Sequence, residues 1–148
     1  MTFDTRKGTR GSRAPGGKLY AWANKMAIGR VKRKSDGPML VLTTVGRKTG
    51  ATRESALRWV AGADGGWIVV ASANGSISNP AWYYNLAAQP DVTITVGGRT
   101  VPVTARQLHG DERADGWRRM VEAAPRFAGY AKKTDRELPV ILLTERSA

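Results

Sequence analysis

A chain of 148 residues with no cysteine and a formal net charge of +12 is long enough to bury a core without covalent staples. Disulfides and thiolate metal sites are excluded, and the single His109 belongs to no Asp, Glu or His cluster of ligand spacing, so no metal is expected. No apolar run approaches the roughly 20 residues of a membrane span, and no signal-type hydrophobic region follows the basic N-terminus.

Residues 1–17 are rich in Gly, Arg, Lys and Thr and almost free of apolar side chains, the composition of a disordered basic tail. Within residues 1–34, ten cations face Asp4 alone, which places +9 of the total +12 in this arm and suggests an anionic partner. A single domain is expected over residues 18–148. It opens with Leu19, Trp22, Ala23 and Met26 at i, i+3, i+4 and i+7, the stripe of a short amphipathic helix flanked by Lys18, Lys25 and Arg30. Such a helix either packs its stripe on its own domain, the preferred reading, or lies on an anionic membrane surface.

Strands follow. Pro38–Val45 is apolar and β-branched, and Glu54–Val60 forms the next run after a Gly-bounded turn. Gly65-Gly66 precedes the continuous apolar run Trp67–Ser72, typical of a buried strand. Asn79-Pro80 starts a helix through Ala88, with Asn79 as N-cap and Pro80 at the first position. Asp91–Val96 and Arg99–Leu108 flank Gly97-Gly98, a two-residue hairpin signal. Asp111 can cap a helix through Ala124 with Trp117, Met120 and Val121 inside, a further helical piece follows Pro125, and Leu138–Thr144 is the last strand. Six mainly antiparallel strands without βαβ alternation predict a mainly β, α+β fold: a small six-stranded barrel with flanking helices. A Rossmann fold is excluded for want of a Gly-rich turn between strand and helix.

The turn itself is the first candidate site. Arg47, Lys48 and Arg53 lie within seven residues, between Gly46 and Gly50 or just beyond. Cations so crowded repel one another unless an anion arrives, and phosphate or carboxylate is the usual guest. On composition alone a solvated hairpin tip fits equally well. Nothing offers a nucleophilic triad or paired carboxylates, so an enzyme built on these residues would need a cofactor to carry the reaction. Two more segments can converge on it. Val70-Ala71-Ser72-Ala73-Asn74-Gly75 ends the buried strand in small residues that let backbone donors approach a flat ring. Asn79–Asn85 is a helix N-terminus with free amides, although its aromatics Trp82, Tyr83 and Tyr84 read first as core. Phe127 and Tyr130, three apart, share a helix face.

Gly46-Arg47-Lys48-Thr49-Gly50-x-x-Arg53, Val70-Ala71-Ser72, Asn79-Pro80-Ala81-Trp82-Tyr83-x-Asn85-Leu86-x-Ala88-x-Pro90 and Tyr130-x-x-x-Thr134-Asp135-Arg136-x-x-Pro139-Val140 stand in one order over residues 38–146. Together they resemble the deazaflavin-dependent nitroreductase family of actinobacteria. The resemblance implies a split β-barrel of the FMN-binding type that holds coenzyme F-420, an 8-hydroxy-5-deazaflavin with a polyanionic phospholactyl-oligoglutamate tail. It assigns Arg47, Lys48, Thr49, Gly50 and Arg53 to the tail. Glu54, Ser55, Ala56, Leu57 and Arg58, with Val70, Ala71, Ser72 and Ala73, would edge the ring. Ala81, Trp82, Tyr83, Tyr84 and Asn85 would complete the groove. Phe127 and Tyr130 would face the substrate, with Tyr130 as proton donor or substrate orienter. Family members usually carry Lys and Gly where Ala73 and Asn74 stand, a proline at Ala56 and a tyrosine at Phe127. The first change removes an anion contact and the last a hydroxyl.

The implied activity is an oxidoreductase passing hydride from reduced F-420 to an electron-poor acceptor: a quinone, an activated enone or unsaturated lactone, or a nitroaromatic. Two alternatives remain open: an FMN-dependent split-barrel reductase, and a non-enzymatic basic domain that binds nucleic acid. The second is disfavoured because the aromatics are not interleaved with cations on one strand face. The expected compartment is the cytoplasm, with a membrane surface as a partner through the basic helix; the sequence leaves the oligomeric state open.

Overall fold

A computed structural model describes residues 3–11, 17–34 and 37–146. Helix α1 (Gly17–Lys34) is followed by strands β1 (Met39–Val45), β2 (Thr52–Arg58), β3 (Val60–Ala61) and β4 (Trp67–Val70). Helix α2 (Ala81–Ala88) leads to β5 (Asp91–Val96) and β6 (Arg99–Gln107), then α3 (Gly110–Ala123), α4 (Arg126–Lys133) and β7 (Val140–Glu145). The strands form one antiparallel sheet in the order β2-β1-β5-β6-β7-β4-β3.

This corrects the expected six-stranded barrel. Seven strands are present among the described residues, because the run Glu54–Val60 changes partner at Trp59. Up to Arg58 it pairs with β1, opposite Met39; from Val60 it pairs with β4, opposite Ile68. Trp59 makes the crossing, its N–H donating to the Pro38 carbonyl at 2.9 Å. The sheet curls into a half-barrel whose end strands, β2 and β3, are not hydrogen-bonded to each other.

Two apolar clusters sit on the two faces of the curl. One gathers Leu40, Leu42, Ile94, Val103, Ile141 and Leu143 beneath Tyr83 and Leu86 of α2. The other places Ile68, Val70 and Val140 against Met120, Phe127 and Leu138. Alternate residues of β4 therefore enter different clusters, which is why Trp67–Val70 reads as continuously apolar. Helix α3 comes close at Gly116, where a Cβ would stand 2.9 Å from Val140 Cγ1. Gly97 and Gly98, at φ +58° and +78°, make the β5–β6 turn, both in the left-handed region that a type I′ hairpin requires.

Helix α1 is oriented against the preferred expectation. Its inward residues are Asn24, Ala27, Ile28 and Val31, of which only Val31 is fully buried, while Leu19, Trp22 and Met26 are 78%, 61% and 46% exposed. Helix α2 starts at Ala81 with Pro80 as N-cap and no side-chain cap; Asn79 has other partners. His109, not Asp111, occupies the N-cap position of α3, and Asp111 lies in its first turn.

The N-terminal segment also departs from expectation. Residues 1, 2 and 12–16 lie outside the described residues, but 3–11 run extended across the domain as a strap. Thr5 N–H donates to Tyr83 Oη at 3.0 Å, and Thr5 Oγ1 accepts from Gln107 Nε2 at 2.7 Å. Gly8 N–H donates to the Ile77 carbonyl at 2.8 Å. Asp135 accepts from the N–H groups of Thr9 and Arg10 at 2.8 and 2.9 Å and from Thr9 Oγ1. Composition marked this segment as disordered because it has little to bury; hydrogen bonding fixes it instead.

These bonds hold the Asp135 carboxyl at about 2, below its ordinary 3.8, chiefly through the Thr9 hydroxyl. A depressed carboxylate adds stability above its unfolded value and loses it as pH falls through its folded one. The strap should therefore be fully held above pH 3.8 and released as pH falls toward about 2. Hydrogen exchange at the Thr9 and Arg10 amides checks this. Protection should fall over that window in the natural chain and be lost already at neutral pH in Asp135→Ala.

Candidate active site

The hairpin between β1 and β2 ends at the Val45–Thr52 pair, and the intervening residues close on themselves. Gly46 N–H donates to the Ala51 carbonyl at 2.7 Å and Gly50 N–H to the Gly46 carbonyl at 2.8 Å. Gly50 takes φ +75°, a conformation that costs glycine nothing. Helix α2 steadies this turn from below. Asn85 is buried; its Oδ1 accepts from Arg47 N–H and its Nδ2 donates to Thr44 Oγ1, both at 3.2 Å. The Arg47 guanidinium lies 5.0 Å from the centroid of Tyr84. Among the described residues, no carboxylate pairs with Arg47, Lys48 or Arg53.

Facing the turn is the loop from β4 to α2. Ala73, Asn74 and Gly75 are left-handed, at φ +45°, +56° and +77°, and the first two do not occupy that region cheaply. A buried arginine holds them. Arg136, 4% exposed, donates from Nη1 to the Ala71 carbonyl (3.0 Å) and Asn79 Oδ1 (2.5 Å). Its Nη2 reaches the Ser72 carbonyl at 2.8 Å and its Nε the Ser76 carbonyl at 3.2 Å. Burial pushes its pKa down, as expected of a guanidinium with no carboxylate against it. Gly75 in turn sits under α4, where a Cβ would come 2.7 Å from the Tyr130 carbonyl.

A cavity of about 670 Å³ opens between these parts. Of the sequence-predicted residues, Arg47, Lys48, Thr49 and Arg53 line one side, Glu54 to Arg58 the wall along β2, and Val70, Ser72 and Ala73 the opposite wall. Ala81, Trp82, Asn85, Phe127 and Tyr130 line it as well. Gly50, Ala71, Tyr83 and Tyr84 do not. Ala71 and Tyr83 are core instead, and the Tyr83 hydroxyl donates to Gln107 Oε1 at 2.5 Å, with its pKa raised by burial. Tyr84 acts on the site through Arg47.

Sequence reasoning missed Tyr20 and Asn24 of α1, Met39 and Arg126, which also line the cavity, as do Gly46, Asn74, Asn79 and Pro80 of the predicted segments. Asn24 carried no signal beyond its place on the inward helical face; there its amide meets the Glu54 carbonyl and the Ala56 N–H, both at 3.5 Å. Arg126 neighboured the predicted Phe127 and its charge was the available signal. Among the described residues Glu54 is the one acid in the wall, and it is drawn off by Lys32 of α1 at 2.5 Å. Five cations then face it: Arg47, Lys48, Arg53, Arg58 and Arg126.

Residues 18–145 match the F-420H(2)-dependent quinone reductase family. The chain belongs to that family. An F-420H(2)-dependent quinone reductase of Mycobacterium tuberculosis is 38% identical over 123 residues, 80% of this chain and 82% of that one. The structure of an F-420-H2 dependent reductase superposes with a TM-score of 0.66 at 40% identity, covering 72% of this chain and 94% of that chain. A further solved structure, described only as a domain-swapped dimer, superposes with a TM-score of 0.67 at 34% identity, covering 85% of this chain and 99% of that chain. Membership makes the protein an oxidoreductase with coenzyme F-420 as its cofactor. The donor set fits this group: unpaired cations suit its polyanionic tail, and the apolar end of the cavity suits its ring.

Replacing Arg136 by Met should leave three carbonyls and the Asn79 amide oxygen short of a donor, lowering unfolding free energy by at least about 3 kcal/mol. Arg136→Lys should recover little, since an ammonium cannot span four acceptors. Denaturant unfolding of both variants checks this; a loss below about 1 kcal/mol would remove Arg136 as the support of the loop.

Proposed function

We propose that the protein reduces quinone-type acceptors by hydride from reduced F-420, with the tail of the cofactor on Arg47, Lys48 and Arg53. The observation that carries this is the set of three cations, without carboxylate partners among the described residues, opening into a partly apolar cavity that Phe127 and Tyr130 also line. When bound, the cofactor supplies a two-electron hydride at its deazaflavin carbon. The chain's part is to hold acceptor and ring face to face and to exclude water. The β2 wall and the Ser72–Ala73 edge flank the ring, and Phe127, fixed edge-on to Tyr130 at 5.3 Å between centroids, backs the acceptor. The Tyr130 hydroxyl then gives the proton that completes reduction.

Titration with oxidised F-420, with FMN as control, tests the assignment. Lys48→Ala and Arg53→Ala should each weaken F-420 binding by about tenfold, the loss of one exposed charge-assisted contact. Tyr130→Phe should leave binding intact and lower kcat by at least about tenfold. Tight FMN binding without F-420 binding would overturn the cofactor, and unchanged turnover in Tyr130→Phe would remove its phenol as donor.

No helix among the described residues is long and apolar enough to cross a membrane. The outward stripe of α1, with Lys18, Lys25 and Arg30 beside Leu19, Trp22 and Met26, supports docking on an anionic lipid surface, where a lipid-borne quinone would be at hand. Vesicles rich in phosphatidylglycerol should sediment the protein at low salt and blue-shift tryptophan emission, and the double variant Leu19→Ala, Trp22→Ala should do neither. A stable dimer in sedimentation that ignores such vesicles would assign the stripe to a second copy instead.

A further inference from the structure

The cavity has cations besides those of the basic turn. Arg53 and Arg58 occupy the two ends of β2, five residues apart, so their backbones are separated by about 17 Å along an extended strand. Arg53 stands by the basic turn. Arg58 stands at the other end, where its Nη2 donates to the Ala123 carbonyl at 3.4 Å, at the close of α3. Its Nε–H is shut away from solvent and has no acceptor. Arg126 is three residues further along the chain, in the first turn of α4, with its guanidinium 5.1 Å from the Phe127 centroid. No acid occupies that first turn, so a cation sits at the positive end of the helix dipole. Among the described residues, neither arginine has a carboxylate partner, and both line the same cavity as Phe127 and Tyr130.

Such an arrangement is unfavourable when empty. Two guanidiniums, one partly desolvated and one opposed by a helix terminus, line one cavity beside an apolar wall, each without an acid to offset its charge. Negative charge in that cavity relieves both penalties. The wall provided by Phe127, Tyr130 and Leu57 selects a flat apolar body for the same molecule.

We propose that Arg58 and Arg126 form a specificity pole for acceptors bearing an anionic substituent, a carboxylate, sulfonate or acidic hydroxyl on a quinone-type ring. This rests on the reductase reading above. The acceptor gains a hydride and then a proton, becoming the hydroquinone, while reduced F-420 becomes oxidised F-420; the anionic substituent takes no part and only anchors the ring. Arg126 acts by direct charge contact and Arg58 through the charge of its guanidinium, which lines the cavity although its Nε–H is shut away.

The test compares 1,4-naphthoquinone-2-sulfonate with neutral 2-methyl-1,4-naphthoquinone at saturating reduced F-420. Because the two quinones differ in intrinsic reactivity, the quantity read is the ratio of their kcat/KM values in each variant. Arg126→Met should lower the ratio for the sulfonate over the neutral quinone about tenfold, Arg126→Glu about a hundredfold, and Arg126→Lys less than threefold. Dissociation constants for the sulfonate, measured by tryptophan quenching with oxidised F-420 already bound, should rise in the same order. An unchanged ratio, or equal losses on both quinones, overturns the proposal. So does a matching loss of F-420 affinity in Arg126→Met, which would give the arginine to the cofactor. Failure of the natural chain to bind F-420 would instead strike the reductase reading, so the two failures are distinguishable.

Discussion

The guanidinium of Arg136 joins the sheet to the cavity, and most of the site geometry depends on it. It spends its donors on the carbonyls of Ala71, Ser72 and Ser76 and on Asn79 Oδ1, all from the segment that leaves β4 and enters α2. A buried charge without a counter-ion is costly, and four hydrogen bonds from a rigid fork offset that cost only while the loop keeps its shape. The coupling runs both ways. The left-handed residues Ala73 and Asn74 persist because the loop is held, and the arginine stays buried because the loop supplies acceptors. From this joint the constraint spreads. Gly75 seats α4 and hence Tyr130, while Asn79 Nδ2 donates to the Thr5 carbonyl and ties in the strap at 3.0 Å.

Charge distribution follows a different logic from packing. On the outer surface several cations are matched: Arg118 and Arg119 share Asp115 on α3, and Arg106 holds Glu112 with a lowered carboxyl pKa. Around the cavity they are not matched, and the one acid there is engaged by Lys32. Exposed ion pairs contribute little to stability, so the contrast bears on ligand binding rather than on folding. An uncompensated positive field in a partly apolar cleft raises the local concentration of anions and speeds their arrival.

Much of this was legible in the sequence for identifiable reasons. The Gly-Gly hairpin and the buried β4 gave strong local signals, because positive φ and two-sided burial each restrict residue choice. The basic turn was legible as a cluster, and the motif around Asn79 to Pro90 as a resemblance. What escaped depends on partners distant in the chain. Nothing near Glu54–Val60 announces that the strand changes partner at Trp59, since Pro38 and Ile68 decide it. Asn79 has the form of a helix cap, yet Arg136 is 57 residues away and takes its oxygen. The strap is the strongest case. Its polar composition matches a disordered tail, and distant partners, among them Asp135, Thr134, Tyr83, Asn79 and Ile77, give its backbone somewhere to bond.

The orientation of α1 follows from the open edge of the sheet. Strand β2 is terminal, with β1 on one side only, so its outer N–H and carbonyl groups need cover. The side-chain amide of Asn24 supplies it by matching the Glu54 carbonyl and the Ala56 N–H as a neighbouring strand would. Lys32, two turns on, fastens the same edge through Glu54. Once Asn24 and Lys32 point inward, helical geometry leaves Leu19, Trp22 and Met26 on other faces. A stripe at the right spacing thus indicates that a helix is amphipathic without saying which face the domain will claim. In this fold the sheet edge claims the face of Asn24, Ala27, Ile28 and Val31, and because β2 is also a wall of the cavity, the same contact sets α1 beside the site with the stripe of Leu19, Trp22 and Met26 turned outward.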